Sequence, residues 1–288
     1  MPIPLNLAVT SVMLPDWTVE ETCTTIKKLG YSGIEWRVRN QPANGPDGKP
    51  PAPSFWGRHI SDISPANVLQ KAPDLRKICK DNGLTITALA PRVSGEDGEQ
   101  LKTLCEAAKT MHCEMVRCSA HPDYKHDGDY RVEQAKAIES YGKAVRIAET
   151  FDIRILLEIH QATPAVSASQ AWMIAKNFKA RHFGVIYDIN NLSAEGFETY
   201  SVAMTLLMEY LAYVHMGNHA PEYQGLRPDG SVKWGTRWCG IKEGTADLPP
   251  MYAALRRVGF QGFVALEDFR VGDARAILKE AAEYLLPL

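Results

Sequence analysis

Apolar residues recur along the chain in two alternating rhythms. Short, nearly continuous apolar runs occur at LNLAVT (5–10), GIEWRV (33–38), LTITALA (84–90), CEMVRCS (113–119), IRILLEI (153–159), HFGVIYD (182–188), LAYVHM (211–216) and GFVALED (262–268). Runs of this length with no consistently polar side read as strands covered on both faces, as in a parallel sheet. Between them the apolar spacing stretches to three and four residues, the period of a helix with one buried face. Val19, Cys23, Ile26 and Leu29 make one such face; Thr18 and Glu21 form a capping box before it, and Gly30 stops it. Leu248, Met251, Tyr252, Leu255 and Val258 make another, with Asp247 as its cap, Pro249 in its first turn and Gly259 at its end. Ala274, Ile277, Leu278, Ala281 and Leu285 repeat the pattern last. Further helices are expected near 64–82, 97–111, 129–151, 166–180 and 196–209.

Eight strands, each followed by a helix, predict an α/β protein: a (β/α)8 barrel forming a single domain over 1–288. An open doubly wound sheet is the alternative, but the first strand–helix turn has no G-x-G-x-x-G. The connections after strands 2 and 7, 39–61 and 218–246, are unusually long. Both leave strand ends on the face where barrel active sites are built. Phe55 and Trp56 in the first, and Tyr223, Trp234, Arg237 and Trp238 in the second, predict lids over that face.

Composition narrows the function classes. The 288 residues are 45% hydrophobic and 23% charged, an ordinary globular balance. A net charge of −2 offers no basic excess for nucleic acid. No apolar run approaches the ~20 residues that span a bilayer, and MPIPLNLAVT has neither a charged n-region nor a cleavage site. Six scattered cysteines without a C-x-x-C pair suggest reduced, buried thiols and a cytoplasmic protein.

Four ionisable groups stand where burial is expected. The fifth to eighth strands end on Glu158, Asp188, His215 and Glu267. Consecutive strand ends of a barrel are neighbours on one rim, so these side chains would converge if they point inward. Taken singly, each reads more simply as a strand-end ion pair or a satisfied core histidine. Four on successive strands favour a metal site. Three carboxylates and one imidazole suit a divalent ion, Mn²⁺ first, with Mg²⁺, Co²⁺ and Zn²⁺ as alternatives. Without a cation, clustered carboxylates repel one another and their pKa values rise.

These residues carry a family resemblance over nearly the whole chain. GIE at 33–35, LLEIH at 156–160, GVIYDINN at 184–191, YVHM at 213–216, and KEGTAD followed by GFQGFVALED resemble the xylose-isomerase-like barrel superfamily. That group holds sugar phosphate isomerases and epimerases, ketose 3-epimerases, hydroxypyruvate isomerase, inosose isomerases and dehydratases, and a distant DNA-repair branch. The resemblance implies metal ligation by Glu158, Asp188, His215 and Glu267. It also implies that Glu158 and Glu267 move protons on opposite faces of a bound sugar. The chain departs from the family at Asn191, where ketose 3-epimerases usually carry histidine, and at Gly217-Asn218, where many relatives carry Lys-Asp. The second departure removes a cationic contact for a phosphorylated substrate.

A metal beside two carboxylates suits proton abstraction next to a carbonyl through an enediolate. Return of the proton to the same carbon epimerises; return to its neighbour isomerises. Loss of a β-hydroxyl instead makes a dehydratase or lyase of a keto-sugar or keto-cyclitol, the first alternative. Abasic-site endonuclease and non-catalytic sugar binding are remoter ones. Substrate-binding candidates are His160, which shares the strand face of Glu158, with Asn191, Arg237, His121, Glu35 and Trp56. Arg37, Arg92, His59 and His219 are further rim groups. The partner expected is a small sugar or cyclitol, with no nucleic acid or membrane; a homo-oligomer is left open.

Overall fold

The computed structural model describes residues 5–121, 123–125 and 127–288. The first four residues of the N-terminal stretch read above lie outside them. Strands β1 (Asn6–Thr10), β2 (Gly33–Val38), β3 (Thr85–Pro91), β4 (Met115–Arg117), β5 (Arg154–Glu158), β6 (Phe183–Asp188) and β7 (Leu211–Met216) are followed by a hairpin of β8 (His219–Leu226) and β9 (Val232–Trp238), and then by β10 (Phe263–Leu266). The hairpin stands apart. The other eight strands close into a parallel barrel in the order β1-β10-β7-β6-β5-β4-β3-β2. This is the (β/α)8 architecture that the eight apolar runs predict, and each predicted strand falls within two residues of an observed one.

Helices α1 (Val19–Lys28), α2 (Val68–Asp81), α3 (Gly98–Met111), α4 (Tyr130–Glu149), α5 (Ala168–Ala175), α6 (Ile189–Ala194), α7 (Tyr200–Leu207), α8 (Leu248–Arg257) and α9 (Ala274–Leu285) cover the barrel. Thr18 caps α1 by accepting from the Glu21 backbone N–H, and Gly30 ends the segment at φ +95°. Asp247 precedes α8 but makes no capping hydrogen bond with its side chain; α8 starts on Pro249 chemistry instead.

Alternation sorts the strand residues into two cores. Ile34, Trp36, Val38, Leu157, Val185, Tyr187, Val214 and Leu266 face the helices in one large cluster. Ala8, Ala88, Leu156, Ile186, Tyr213 and Ala265 fill the barrel interior, where Tyr213 Oη and Thr87 Oγ1 are 2.7 Å apart. Two residues beyond Leu156, Ile186, Tyr213 and Ala265 come Glu158, Asp188, His215 and Glu267. Period-two geometry therefore places these four on the interior side, one layer above the apolar plug.

Two elements escape the apolar pattern. The 218–246 connection contains the β8–β9 hairpin, paired from His219↔Trp238 to Leu226↔Val232. Most of its residues are exposed on both faces, so it has no buried side to announce it. Helix α6 has only six residues, directly after β6, and buries just Ile189 and Leu192 of its apolar side chains in the core.

Candidate metal centre

The centre is built from four strand ends. One ligand atom from each of Glu158, Asp188, His215 and Glu267 lies within 4.8 Å of the other three. Ligands about 2.0–2.4 Å from a single cation stand up to roughly 4–5 Å apart, so the set matches one ion in size. The imidazole of His215 is fully buried and lies at its middle. Nε2 is 3.0 Å from Glu35 Oε2. A carboxylate only accepts, so Nε2 carries the hydrogen and Nδ1 turns its lone pair the other way. There it meets Glu158 Oε1 at 3.0 Å, Asp188 Oδ2 at 3.5 Å and Glu267 Oε2 at 3.6 Å. Nδ1 is buried and, among the described residues, has no hydrogen-bond partner of good geometry. Three carboxylate oxygens around Nδ1 need a positive centre between them, either a proton on Nδ1 or a bound cation, and the donor set fits a divalent cation.

Asp188 shows how local structure divides one carboxylate between two tasks. It is the N-cap of α6: Oδ1 accepts from the backbone N–H groups of Asn190 and Asn191 at 2.8 and 3.1 Å. Oδ2 is left for the centre and also accepts from Asn191 Nδ2 at 2.5 Å. The D-x-x-N spacing thus orients the aspartate.

The electrostatics split the two glutamates. Burial pushes Glu158 up, but Arg117 and then His215 outweigh it and hold the carboxyl well below the usual range. Arg117 donates from Nη1 to Glu158 Oε2 at 2.6 Å. Glu267 is pushed up to about 8, first by burial and then by the charges of Asp188, Glu158 and Glu35, against the pull of His215. Burial lowers His215, but the charges of Glu35 and Glu267 raise it well above an ordinary imidazole. With no cation, protons on His215 and Glu267 offset part of the negative charge of the cluster; a divalent ion would displace them.

Of the remaining sequence candidates, Glu35 and Asn191 touch ligands of the centre. Glu35 sits behind His215, on the opposite side of the ring from the other carboxylates. Asn191 is bonded to Asp188. His160 Nδ1 lies 2.7 Å from the carbonyl of Gln161, and its charge reaches Glu158. His121 turns to Glu133, with Nε2 3.2 Å from Oε2. Arg237 is exposed on β9, opposite Ala220. Trp56 is 72% exposed, and its ring packs 4.6 Å from Phe269.

Three contributors escaped the sequence reading. Arg117 stands on the interior face of β4, two residues from Met115. A charge at the end of the CEMVRCS run was the same signal that marked Glu158. Thr10 follows Ala8 on the interior face of β1, and its buried Oγ1 has no partner among the described residues. Phe269 joins the two long connections: Phe55 and Trp56 meet it from one side at 5.2 and 4.6 Å, and Trp238 edge-on at 4.8 Å from the other. Trp238 in turn lies 3.8 Å from the ring of His219. These rings form an aromatic wall two residues beyond Glu267.

A closed eight-stranded barrel with three carboxylates and an imidazole converging on its carboxyl rim defines the class. The family described as xylose isomerase-like TIM barrel matches residues 23–288, and the chain belongs to it. No curated protein sequence matches. Solved structures with the same fold include the probable 3-DHS dehydratase AsbF of Bacillus anthracis, at 14% identity, 98% of both chains covered and a TM-score of 0.74. The 3-keto-D-glucoside 4-epimerase YcjR of E. coli aligns at 14% identity over 98% of this chain and 99% of its own, with a TM-score of 0.69. The IOLI protein, solved with a bound zinc atom, aligns at 18% identity over 97% of this chain and 94% of its own, also at 0.69. At these identities the likeness is one of fold.

Proposed function

We propose that the protein is a divalent-metal-dependent isomerase or epimerase that moves a proton next to the carbonyl of a sugar or cyclitol. The observation that carries this reading is the buried Nδ1 of His215, which has no hydrogen-bond partner of good geometry among the described residues and faces Glu158, Asp188 and Glu267. Glu158, Asp188, His215 and Glu267 would hold the ion. A divalent cation there supplies polarisation of a carbonyl oxygen and of the adjacent hydroxyl, which acidifies the intervening C–H. Glu158, kept ionised by Arg117, takes the proton. Glu267, which ends the strand on the other side of His215 from Glu158's, is the group assigned to return one. The aromatic wall around Phe269 offers flat apolar surface to sugar C–H faces and limits water at the rim. Manganese is the metal expected first, and the relative solved with zinc keeps that ion in the comparison.

The experiment is solvent-deuterium exchange with manganese and a panel of keto-sugars and keto-cyclitols. Deuterium entering an unchanged skeleton is the expected result. Glu158→Gln and Glu267→Gln each lower the exchange rate by at least about a thousandfold, near the upper range for a proton-transfer group. Undiminished exchange in both variants overturns the assignment. An absorbing enone in place of exchange moves the reaction to the dehydratase class. Asn191 supports that second reading, since its amide, tied to Asp188, cannot carry a proton as a histidine would.

A further inference from the structure

Four arginines collect at the carboxyl ends of three adjacent barrel strands. Arg37 and Arg39 lie at the end of β2, Arg92 follows β3, and Arg117 ends β4. Arg37 donates to the carbonyls of Trp56 and Gly57 at 3.5 and 3.0 Å, and Arg117 donates to Glu158. Arg39 has no such arrangement. Its backbone N–H is bonded to the carbonyl of Ile63, which holds the chain in place. Its Nη1 is buried and, among the described residues, has no hydrogen-bond partner. Strand alternation puts Arg39 on the same side as Glu35 and Arg37, toward the barrel mouth.

The neighbours of Arg39 deepen the deficit. The charges of Arg117, Arg37 and Arg92 all reach it, and that of Glu158 opposes them. Glu158 is already shared between Arg117 and His215. The β2–β4 side of the rim is therefore positive and the β5–β10 side negative. A guanidinium holds its charge under almost any condition, so this surplus cannot be relieved by losing a proton. Nη1 is left open to an acceptor from outside the chain, and a guanidinium fork is matched by a carboxylate or phosphate edge.

We propose that the substrate handled at this centre carries an anionic group, a carboxylate or a phosphate, that docks on Arg39 at the basic side of the rim. The proposal rests on the metal-assisted reading above and names the substrate class it acts on. The reacting carbons would lie at the acidic half of the rim and the anionic end at the basic half, so the charge asymmetry also sets which way round the substrate enters.

Three ketoses differing at one terminal carbon test it: D-fructose, D-fructuronate and D-fructose 6-phosphate, each titrated calorimetrically into the manganese-loaded protein. At least tenfold tighter binding of one anionic ketose over D-fructose is expected. A preference for fructuronate names a carboxylate, and a preference for the phosphate ester names a phosphate. Arg39→Gln should reduce the preference to less than threefold while the manganese stoichiometry stays at one. Arg39→Lys, which keeps the charge without the fork, should retain an intermediate preference and serves if the glutamine variant does not fold. Equal binding of the three, no binding by any, or a preference that survives Arg39→Gln overturns the proposal. Failure of manganese to bind, or exchange activity persisting in Glu158→Gln, instead overturns the reading beneath it.

Discussion

His215 has every direction of its ring assigned, and the residue behind it is open to a clean test. Glu35 is buried and bonds only the far nitrogen. Glu35→Gln removes its charge but keeps an acceptor of the same shape. Partners of this kind, which orient a ligand and raise its basicity, are worth about 10–100-fold in metal affinity. A loss of that size is expected for manganese, read by competition with a fluorescent chelator, while the far-ultraviolet circular dichroism stays unchanged. His59 supplies a second test at this scale. Burial pushes its imidazole down to about 4, and Arg37 pushes the same way, while the Phe55 carbonyl 3.1 Å from Nε2 partly opposes them. In the unfolded chain the group titrates near 6.5. Between those values the unfolded state binds more protons, so stability rises with pH. The contribution is complete above about 6.5 and is lost as pH falls towards 4. Urea midpoints measured across that window should fall with acidity, and His59→Gln should flatten the slope.

At the scale of elements, the barrel mouth depends on close approach between strand ends. Gly217 directly follows β7, and a Cβ there would stand 2.3 Å from the Glu267 carbonyl oxygen and 2.6 Å from Asn190 Oδ1. Backbone must move to admit it. Gly217→Ala is expected to cost about 1–3 kcal/mol, the usual range for overpacking, and to weaken manganese binding because Glu267 shifts with its backbone. Thermal unfolding and a metal titration on the same preparation check both effects. Element positions were readable because apolar runs and capping residues are local signals. The β8–β9 hairpin was not, since its strands are stabilised by each other and present no buried face. Nor was α6, which Asp188 caps and which at six residues is too short to show a helical period, although it buries Ile189 and Leu192.

On the scale of the whole molecule, an ion at the rim would tie together β5, β6, β7 and β10, strands spread over the second half of the chain. Binding to the folded state alone adds about 2.7 kcal/mol at a ligand concentration a hundredfold above Kd. At roughly 2–4 °C per kcal/mol for a large domain, saturating manganese should raise Tm by about 5–10 °C, and a chelator should reverse the gain. Asp188→Asn should shrink the increment, since it removes a ligand charge but keeps the helix cap. A Tm indifferent to manganese would leave the centre without its ion. Among the described residues, no helix is long and apolar enough to cross a membrane, and all six cysteines are free and buried.

Sequence alone determined the barrel, because strand and helix periods are set by neighbours in the chain and eight repeats admit few closures. It also marked Glu158, Asp188, His215 and Glu267, because an ionisable group ending an apolar run is conspicuous without any structure. Tertiary structure decided what those groups face. That Glu35 stands behind His215, that Arg117 holds Glu158, that Phe269 joins two distant connections, and that Nη1 of Arg39 has no acceptor among the described residues are relations between residues far apart in the chain. Such contacts depend on strand register and barrel closure, and no local pattern records them.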